Sequence, residues 1–414
     1  MSKPYDVLII GGGIAGMSAA IAAAREKSDV VLLEQGDRVG NKLGFTGDGR
    51  CNFTNENIGI ENYYDADPGI VLPVLEEFSN EDLMRWFEEI GIDIKVEDGR
   101  VYPVCEQVGD VVDILRLQMN RHFVRVETYR KVISIEKGED SFEVHCVNGD
   151  YNAKCVVLAT GSKAAVATGA GEEGYRLAEQ LGMSMKKALP AQTDLRVTST
   201  YTSDWDGVSC DGSLTLLVDG QQAAEAAGLL EFTASGISGV PARTVSRYAS
   251  RALDEGKTVE ALISFLPGKN ADEAYDFLIG RRARVEDYLA RHYLLGLIPK
   301  KIARMLIREA GIRHSQPIQY LKDDKIRRLA ETMTGLRVGI GGTGNFRQSQ
   351  TCTGGVLTSE VQPVTLESKK VPGVYLAGDL LDVDGMPGGY SLQWAFSSGF
   401  AAGSAAVTRA KEGD

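Results

Sequence analysis

The chain has 414 residues, 43% of them hydrophobic and 25% charged, a soluble globular composition with room for roughly two or three domains. Acidic residues outnumber basic ones 57 to 45, for a net charge of −12; this argues against nucleic acid and anionic membranes as partners, because phosphate binding needs a cationic footprint. Six cysteines without a CxxC or other metal-spaced pair, and only four histidines, point away from a metal site and toward a reduced, cytoplasmic protein without a secretory signal.

The first element is a βαβ unit. Asp6 to Ile10 is a short apolar run suited to a buried parallel strand, Ala15 to Lys27 is an alanine-rich helix, and Val30 to Leu33 is a second strand ending at Glu34. Its hydropathy resembles a signal-peptide core, but Asp6 precedes it and glycines interrupt it; no other run approaches a membrane span. The stretch NKLGFTGDGRCNFTN, Asn41 to Asn55, has turn formers, two cations and a cysteine but no hydrophobic period. Asn80 to Ile90 predicts a helix capped by Asn80 and stopped by Gly91, and Cys105 to His122 contains another. From Val124 the pattern alternates, predicting antiparallel hairpins with turns near Gly138 and Asn148, which return to a buried strand, Cys155 to Leu158.

Arg196 to Gly239 reads as mostly β. Asn270 to Thr334 reads as helical, with Asn270 as a cap, Pro299 as a starter, and Gly311 and Gly335 as stops. The basic clusters GRRAR and PKKIARMLIR fall on helical segments and read as solvated faces. Gly373 to Val407 gives strand, loop and helix. The expected fold class is α/β: a Rossmann-type nucleotide-binding domain from residues 1–188 and 345–414, with a β-rich and helical domain inserted at 189–344, its helical part at about 253–334.

Gly11, Gly13 and Gly16 satisfy GxGxxG between a strand and a helix, and Glu34 follows Gly16 at the end of the next strand. Glycines there let backbone approach a pyrophosphate at the helix N-terminus, and an acid at Glu34 accepts ribose hydroxyls while disfavouring a 2′-phosphate. This motif does not separate FAD from NAD. VVLATGS, with Ala159, Thr160 and Gly161, and GVYLAGDL, with Gly378 and Asp379, resemble the second and late contacts of two-dinucleotide-binding flavoproteins, which points to FAD. Pro387, Gly388 and Gly389 then form a tight turn before a helix opening at Tyr390, whose N-terminus would favour the negative charge of a reduced flavin. Trp394 and Phe396 read as core.

Taken together, GGGIAGMSAA, NKLGFTGDGRCNFTN, GRVYPV, ATGS, FTASGISGVP, CTGGV and LDVDGMPGGYSLQWAFSSGFAAG resemble the BaiN-like family of FAD-dependent oxidoreductases, also labelled the aminoacetone oxidase family, over nearly the whole chain. The resemblance implies an FAD domain, an inserted β-barrel-like and helical substrate domain, and hydride chemistry at flavin N5; family members include proposed reductases of conjugated C=C bonds in steroid-like bile acid intermediates. It carries Gly11, Gly13, Ile14, Ala15, Gly16 and Glu34 to the adenosine–pyrophosphate site, and Lys42, Thr46, Arg50, Cys51 and Asn52 to a loop beside FAD. Ala159, Thr160 and Gly161 supply the second contact. Gly378, Asp379, Gly389, Tyr390, Ser391 and Leu392 form the flavin-proximal block, and the chain around Val132 holds adenine by its backbone. Departures occur at Asp379, where many relatives have Glu, at Ser391, where many have Asn, and at Gly44-Phe45; FTASGISG also lacks the histidine often found before it.

The function expected is hydride exchange between FAD and a small organic substrate, an unsaturated carbonyl compound, in a cleft between the two domains. Arg50 and Tyr390 are the proton-relay or substrate-orienting candidates. Only one GxGxxG unit exists, so NADH or NADPH would visit transiently, or another protein would supply electrons. An oxygen-dependent amine oxidase and a non-catalytic flavoprotein redox sensor are the rival readings. Cys51, beside Arg50, has the setting of a redox thiol but no nearby partner, and reads as loop packing. GISG lacks the spacing of a nucleophile elbow, and the histidines read as structural or surface. Sequence leaves the oligomeric state open.

Overall fold

A computed structural model describes residues 3–45, 49–64 and 66–412. The chain divides into two compact units, Met1–Leu189 with Gln350–Asp414, and Pro190–Ser349.

The first unit is built on a seven-stranded sheet. Arg125–Glu127, Val30–Leu33, Tyr5–Ile10 and Gly149–Leu158 lie side by side in parallel, in register Leu32↔Val126, Leu8↔Val31 and Leu8↔Val156. Gly149–Leu158 serves two partners: its early half pairs antiparallel with Phe142–Cys146, which leads to Val132–Lys137, and its last residues pair parallel with Val374–Leu376. The central strands are covered on both faces, which is why they are continuously apolar. Val7, Ile9, Leu32 and Val157 face one core with Met17 and Phe396; Leu8, Ile10, Val31 and Val156 face the other with Val356 and Trp394.

Helix Ile14–Ala24 is buried along its whole length. It lies against the long helix Tyr390–Glu412, where Gly399 and Gly403 stand one helical turn apart; a Cβ at either would collide with the carbonyl of Ala15 or Ala19. Ser18 Oγ donates to Phe396 O at 2.8 Å across this contact. The helix stops at Ala24 rather than Lys27, because Lys27 takes a left-handed φ of 60° that turns the chain into the next strand.

Two further expectations change in this unit. Arg125–Glu127 is a parallel edge strand, not a hairpin arm. Helix Asn80–Glu89 is capped by Ser79, whose Oγ accepts from Asp82 N while the Asp82 carboxylate accepts from Ser79 N, both at 3.1 Å. Asn80 instead donates its side-chain amide to Asn55 O at 2.9 Å, on the short sheet formed by Thr54–Asn55, Arg100–Pro103 and Ile94–Glu97.

The second unit contains a closed six-stranded barrel in the order Leu195–Val197, Gly236–Ser238, Gln221–Thr233, Val208–Val218, Val259–Ser264 and Leu336–Thr343. Every pairing is antiparallel. Asp219 and Gly220, both at positive φ, make the tight turn that closes the longest hairpin. Helices Val240–Asp254, Ala271–Arg282, Lys300–Glu309 and Asp323–Thr334 complete the unit. Asn270 caps as expected: its Oδ1 accepts from Glu273 N and Glu273 returns the bond to Asn270 N, each at 2.9 Å. The helical part is not continuous from 253 to 334, however. Val259–Ser264 is a barrel strand with strictly alternating burial, and the preceding helix begins at Val240.

Candidate FAD site and active site

Strand Tyr5–Ile10 delivers the glycine turn to the sheet edge. Gly11 has φ +108°, and a Cβ there would strike Ala159 O; Ala159 N in turn donates to Ile10 O at 2.9 Å. The ATG stretch, Ala159 to Gly161, therefore lies directly against the GxGxxG turn. Gly16 is forced by packing, since a Cβ would meet Gly11 O. Gly13 is different: among the described residues nothing lies within 4 Å of where its Cβ would be. Gly13 also caps helix Ile14–Ala24 in an extended conformation, without a side-chain cap and without an acid in the first turn. The turn thus leaves backbone N–H groups and the positive end of a helix facing a space that a side chain would fill, as an anionic pyrophosphate requires.

Glu34 locks this turn. Its carboxylate accepts from Gly12 N at 2.7 Å and from Gly36 N at 2.6 Å. Each oxygen keeps a lone pair for a ribose hydroxyl. The chain at Arg130 comes alongside, with Arg130 N donating to Glu34 O at 2.8 Å; Val132, two residues on, is buried and begins its strand opposite Cys146. Ile14 and Ala15 are buried in the first helical turn, and Ala15 packs against Gly378.

Lys42 joins three motifs. Its Nζ lies 2.8 Å from Asp379 Oδ2 and 3.4 Å from Ser162 Oγ. The Asp379 turn is anchored from behind: Gly378 N donates to Ser398 Oγ at 2.9 Å and Trp394 Nε1 donates to Gly378 O at 3.2 Å. Trp394 is core, and its indole N–H also fixes the acidic turn.

The loop after Lys42 resolves into separate roles. Thr46 lies outside the described residues. Arg50 makes a two-pronged pair with Glu106, at 2.8 and 2.7 Å, reaches Glu97 at 2.6 Å, and stacks 4.3 Å above the Tyr102 ring. The hydrogen bonds to Glu106 and Glu97 hold its proton still more firmly than usual. Cys51 is fully buried at φ +60°, and burial pushes its thiol up to about 12. Burial thus works against the low-pKa thiolate a redox cysteine needs.

Asn52 is buried, and Gly389 approaches it so closely that a Cβ at Gly389 would strike both Asn52 Oδ1 and Thr54 O. Gly389 has φ +99°, so only glycine suits this turn. Asn52 Oδ1, Thr160 Oγ1 and Ser391 Oγ are buried and lack hydrogen-bond partners among the described residues. Buried polar atoms are ordinarily satisfied, and these three sit at positions that the family resemblance places beside FAD. The open Gly13 cradle and the unpaired atoms of Asn52 and Ser391 are what a bound FAD would fill and satisfy, whereas Thr160 Oγ1 packs against Gly174, where an added Cβ would lie 1.8 Å from it. Gly161, at φ +70°, likewise has open space beside it. Leu392 is half-buried against the core. Tyr390 is half-buried, its phenol raised mainly by burial, and Tyr63 Oη donates to its carbonyl at 3.0 Å.

Sequence reasoning did not find the groups that fasten loop to helix. Gln393 is fully buried; it accepts from Thr54 Oγ1 at 2.6 Å and donates to Ser397 Oγ and Phe78 O at 2.9 and 3.2 Å. Asn55 donates to Gly388 O at 3.0 Å. The available signal was a lone glutamine in the apolar run LQWAF. Among the described residues no group of side chains could hold a metal ion, and no helix is long and apolar enough to cross a membrane.

Comparison with known proteins agrees with this geometry. The HI0933-like protein Rossmann domain family matches residues 5–405. The chain is 35% identical to a 3-dehydro-bile acid delta(4,6)-reductase of Clostridium scindens, covering 97% of this chain and 98% of that one. It is 27% identical to the ribosomal RNA dihydrouridine synthases of Haemophilus influenzae, over 97% of this chain and 98% of that one, and of Escherichia coli, over 96% of each. A full-length match of this kind identifies the chain as a member of the HI0933-like Rossmann family and an FAD-dependent oxidoreductase.

Proposed function

We propose that the protein reduces a C=C bond conjugated to a carbonyl in a hydrophobic, steroid-like small molecule. The full-length similarity to a bile acid reductase carries this reading. Bound FAD would supply the hydride chemistry. In this chain, Gly13 and the first turn of helix Ile14–Ala24 hold the pyrophosphate, Glu34 the ribose, and Lys42 with Asp379 the ribityl–pyrophosphate region. Asn52 and Ser391 give their unpaired atoms to the cofactor's polar edges. The N-terminus of helix Tyr390–Glu412 stabilises negative charge placed before it. Tyr390, held protonated by partial burial, donates a proton to the substrate carbon beside the carbonyl. Arg50 keeps the loop in place through Glu97 and Glu106.

NADH or NADPH is the reductant we favour, as a transient visitor, since the sequence offers a single GxGxxG unit. Dihydrouridine is uridine with one ring C=C bond reduced, so the relatives named dihydrouridine synthases belong to the same bond chemistry. The net charge of −12 favours a small molecule over ribosomal RNA here. Six cysteines without a disulfide support a cytoplasmic location.

The test is anaerobic turnover of the flavin-loaded, photoreduced protein with a steroid enone. The expected product is heavier by two hydrogens. Absence of that product, with peroxide released from an amine in air, would replace the reductase reading with the amine oxidase one.

A further inference from the structure

We propose that Gln393 is a positioning residue for the flavin: its buried carboxamide fixes where Asn52 Oδ1 and Ser391 Oγ stand, and through those two atoms raises the affinity of bound FAD for electrons. The inference rests on the proposed cofactor site for the place of those two atoms, and not on the choice of substrate.

Gln393 lies in the first turn of helix Tyr390–Glu412, between Leu392 and Trp394. It is fully buried, as are Thr54 and Ser397. A carboxamide buried among apolar neighbours is costly unless its groups are paired, and here its oxygen and its amide nitrogen both are. Oε1 accepts from Thr54 Oγ1 at 2.6 Å; Nε2 donates to Ser397 Oγ at 2.9 Å and to Phe78 O at 3.2 Å. Ser397 Oγ donates to the same carbonyl at 2.6 Å. Turned end for end, the amide would set its oxygen against Phe78 O, two acceptors with no proton between them, so one orientation holds. The network ties three segments together. Thr54 opens strand Thr54–Asn55, Phe78 ends helix Pro68–Glu77, and the first turns of the long helix carry Gln393 and Ser397.

Two unpaired atoms border this network. Asn52 stands just before Thr54 in the chain, and Ser391 just before Gln393; Asn52 Oδ1 and Ser391 Oγ are buried and lack hydrogen-bond partners among the described residues. Gly389 brings the two segments together. A Cβ there would collide with both Asn52 Oδ1 and Thr54 O, while Gly389 O accepts from Gln393 N at 3.0 Å. The bond between Thr54 and Gln393 therefore sets the spacing of the Asn52 and Ser391 segments from behind. Buried partners of this kind hold the groups that touch a cofactor in their working geometry. Asn52 Oδ1 can only accept a hydrogen bond, whereas the Ser391 hydroxyl can donate one. A flavin gains an N–H and negative charge on reduction, so an acceptor and a donor held in fixed places favour its reduced form. Loosening the tie between Thr54 and Gln393 should weaken both contacts and lower the flavin's potential.

The experiment measures the midpoint potential of bound FAD by anaerobic, dye-coupled titration of the FAD-loaded protein, with the melting temperature recorded beside it. Gln393→Met keeps much the same volume and removes the three amide bonds. It should lower the preference for reduced over oxidised FAD about tenfold, a fall of about 30 mV for a two-electron couple. Thr54→Val removes one of those bonds and should shift the potential the same way by less. A wild-type potential in Gln393→Met, whatever its melting temperature, overturns the proposal, because Gln393 then only packs the helix. Should Gln393→Met fail to fold or to retain FAD, Thr54→Val decides, and a wild-type potential there overturns the proposal equally. Asn52→Ala and Ser391→Ala separate the proposal from the site on which it rests. A shift in these two without one in Gln393→Met or Thr54→Val discards the positioning role and leaves the cofactor site standing. FAD affinity and potential both unchanged in Asn52→Ala and Ser391→Ala would remove those atoms from the cofactor, and the proposal with them.

Discussion

Lys42 and Asp379 are 337 residues apart in sequence, and their side chains meet at 2.8 Å. The pair joins the turn after Glu34 to the turn before the long C-terminal helix, so both ends of the chain must be in place to assemble the proposed cofactor site. Each side chain retains some exposure, 27% and 21%, which limits the pair's own contribution to about 1 kcal/mol. Lys42→Met and Asp379→Asn should each weaken FAD binding several-fold, and the double variant should lose less than the product of the two. Fluorescence titration of apoprotein checks this; strictly multiplicative losses would mean the pair is not acting as a unit.

Glu34 does two things, and its variants should separate them. Glu34→Ala removes the acceptor for both Gly12 N and Gly36 N and the proposed ribose partner. We expect FAD affinity to fall about tenfold or more, with a lowered melting temperature, since lost charged hydrogen bonds cost about 1.5–3 kcal/mol. Glu34→Gln keeps one acceptor oxygen and should fall between. FAD affinity equal to wild type in Glu34→Ala would remove the ribose role.

Cysteine labelling tests the reading of Cys51. Cys105 is exposed, whereas Cys51 is buried with its thiol pushed up to about 12, and Cys352 with its thiol pushed up to about 11. Brief alkylation of the native protein at neutral pH should label Cys105 and leave Cys51 and Cys352 unmodified by peptide mass spectrometry. Rapid labelling of Cys51 would restore it as a reactive thiol.

The Arg50 network should show in acid. Arg50 and Lys95 hold Glu106 down to about 2, below its ordinary value of 4.5, and Glu97 shifts the same way. A carboxylate whose folded pKa is depressed contributes stability above its unfolded pKa, and that contribution disappears as pH falls through the folded value. Arg50→Met should therefore melt below wild type near neutral pH, and the gap should close as pH falls from 4.5 toward 2. A gap constant over that range would show that Arg50 stabilises through its stacking on Tyr102 alone.

Much of the nucleotide-binding half was legible because its signals are local. A continuous apolar strand, a glycine turn and an alanine-rich helix occur in a row, and the structure keeps that order from Tyr5 to Leu33. Arg125–Glu127 was misread because a three-residue edge strand alternates much as a hairpin arm does. Val259–Ser264 was absorbed into the helical stretch because its neighbours on both sides are helices, and barrel closure is a long-range event. At the site, Lys42 and Asp379 were placed near FAD by family resemblance, whereas their direct contact needed the fold. The partners of Arg50 lie 47 and 56 residues away, a separation that residue chemistry does not encode. Gln393 was passed over because its hydrogen bonds reach back to Thr54 and Phe78, far outside its own helix.

The most direct test watches the flavin from both redox states without oxygen. Reduced, FAD-loaded protein mixed with a steroid enone should regain the oxidised flavin's visible absorbance while consuming one equivalent of enone, and oxidised protein mixed with amines should keep its colour. A reduced flavin indifferent to enones, with an oxidised flavin bleached by an amine, would contradict the account.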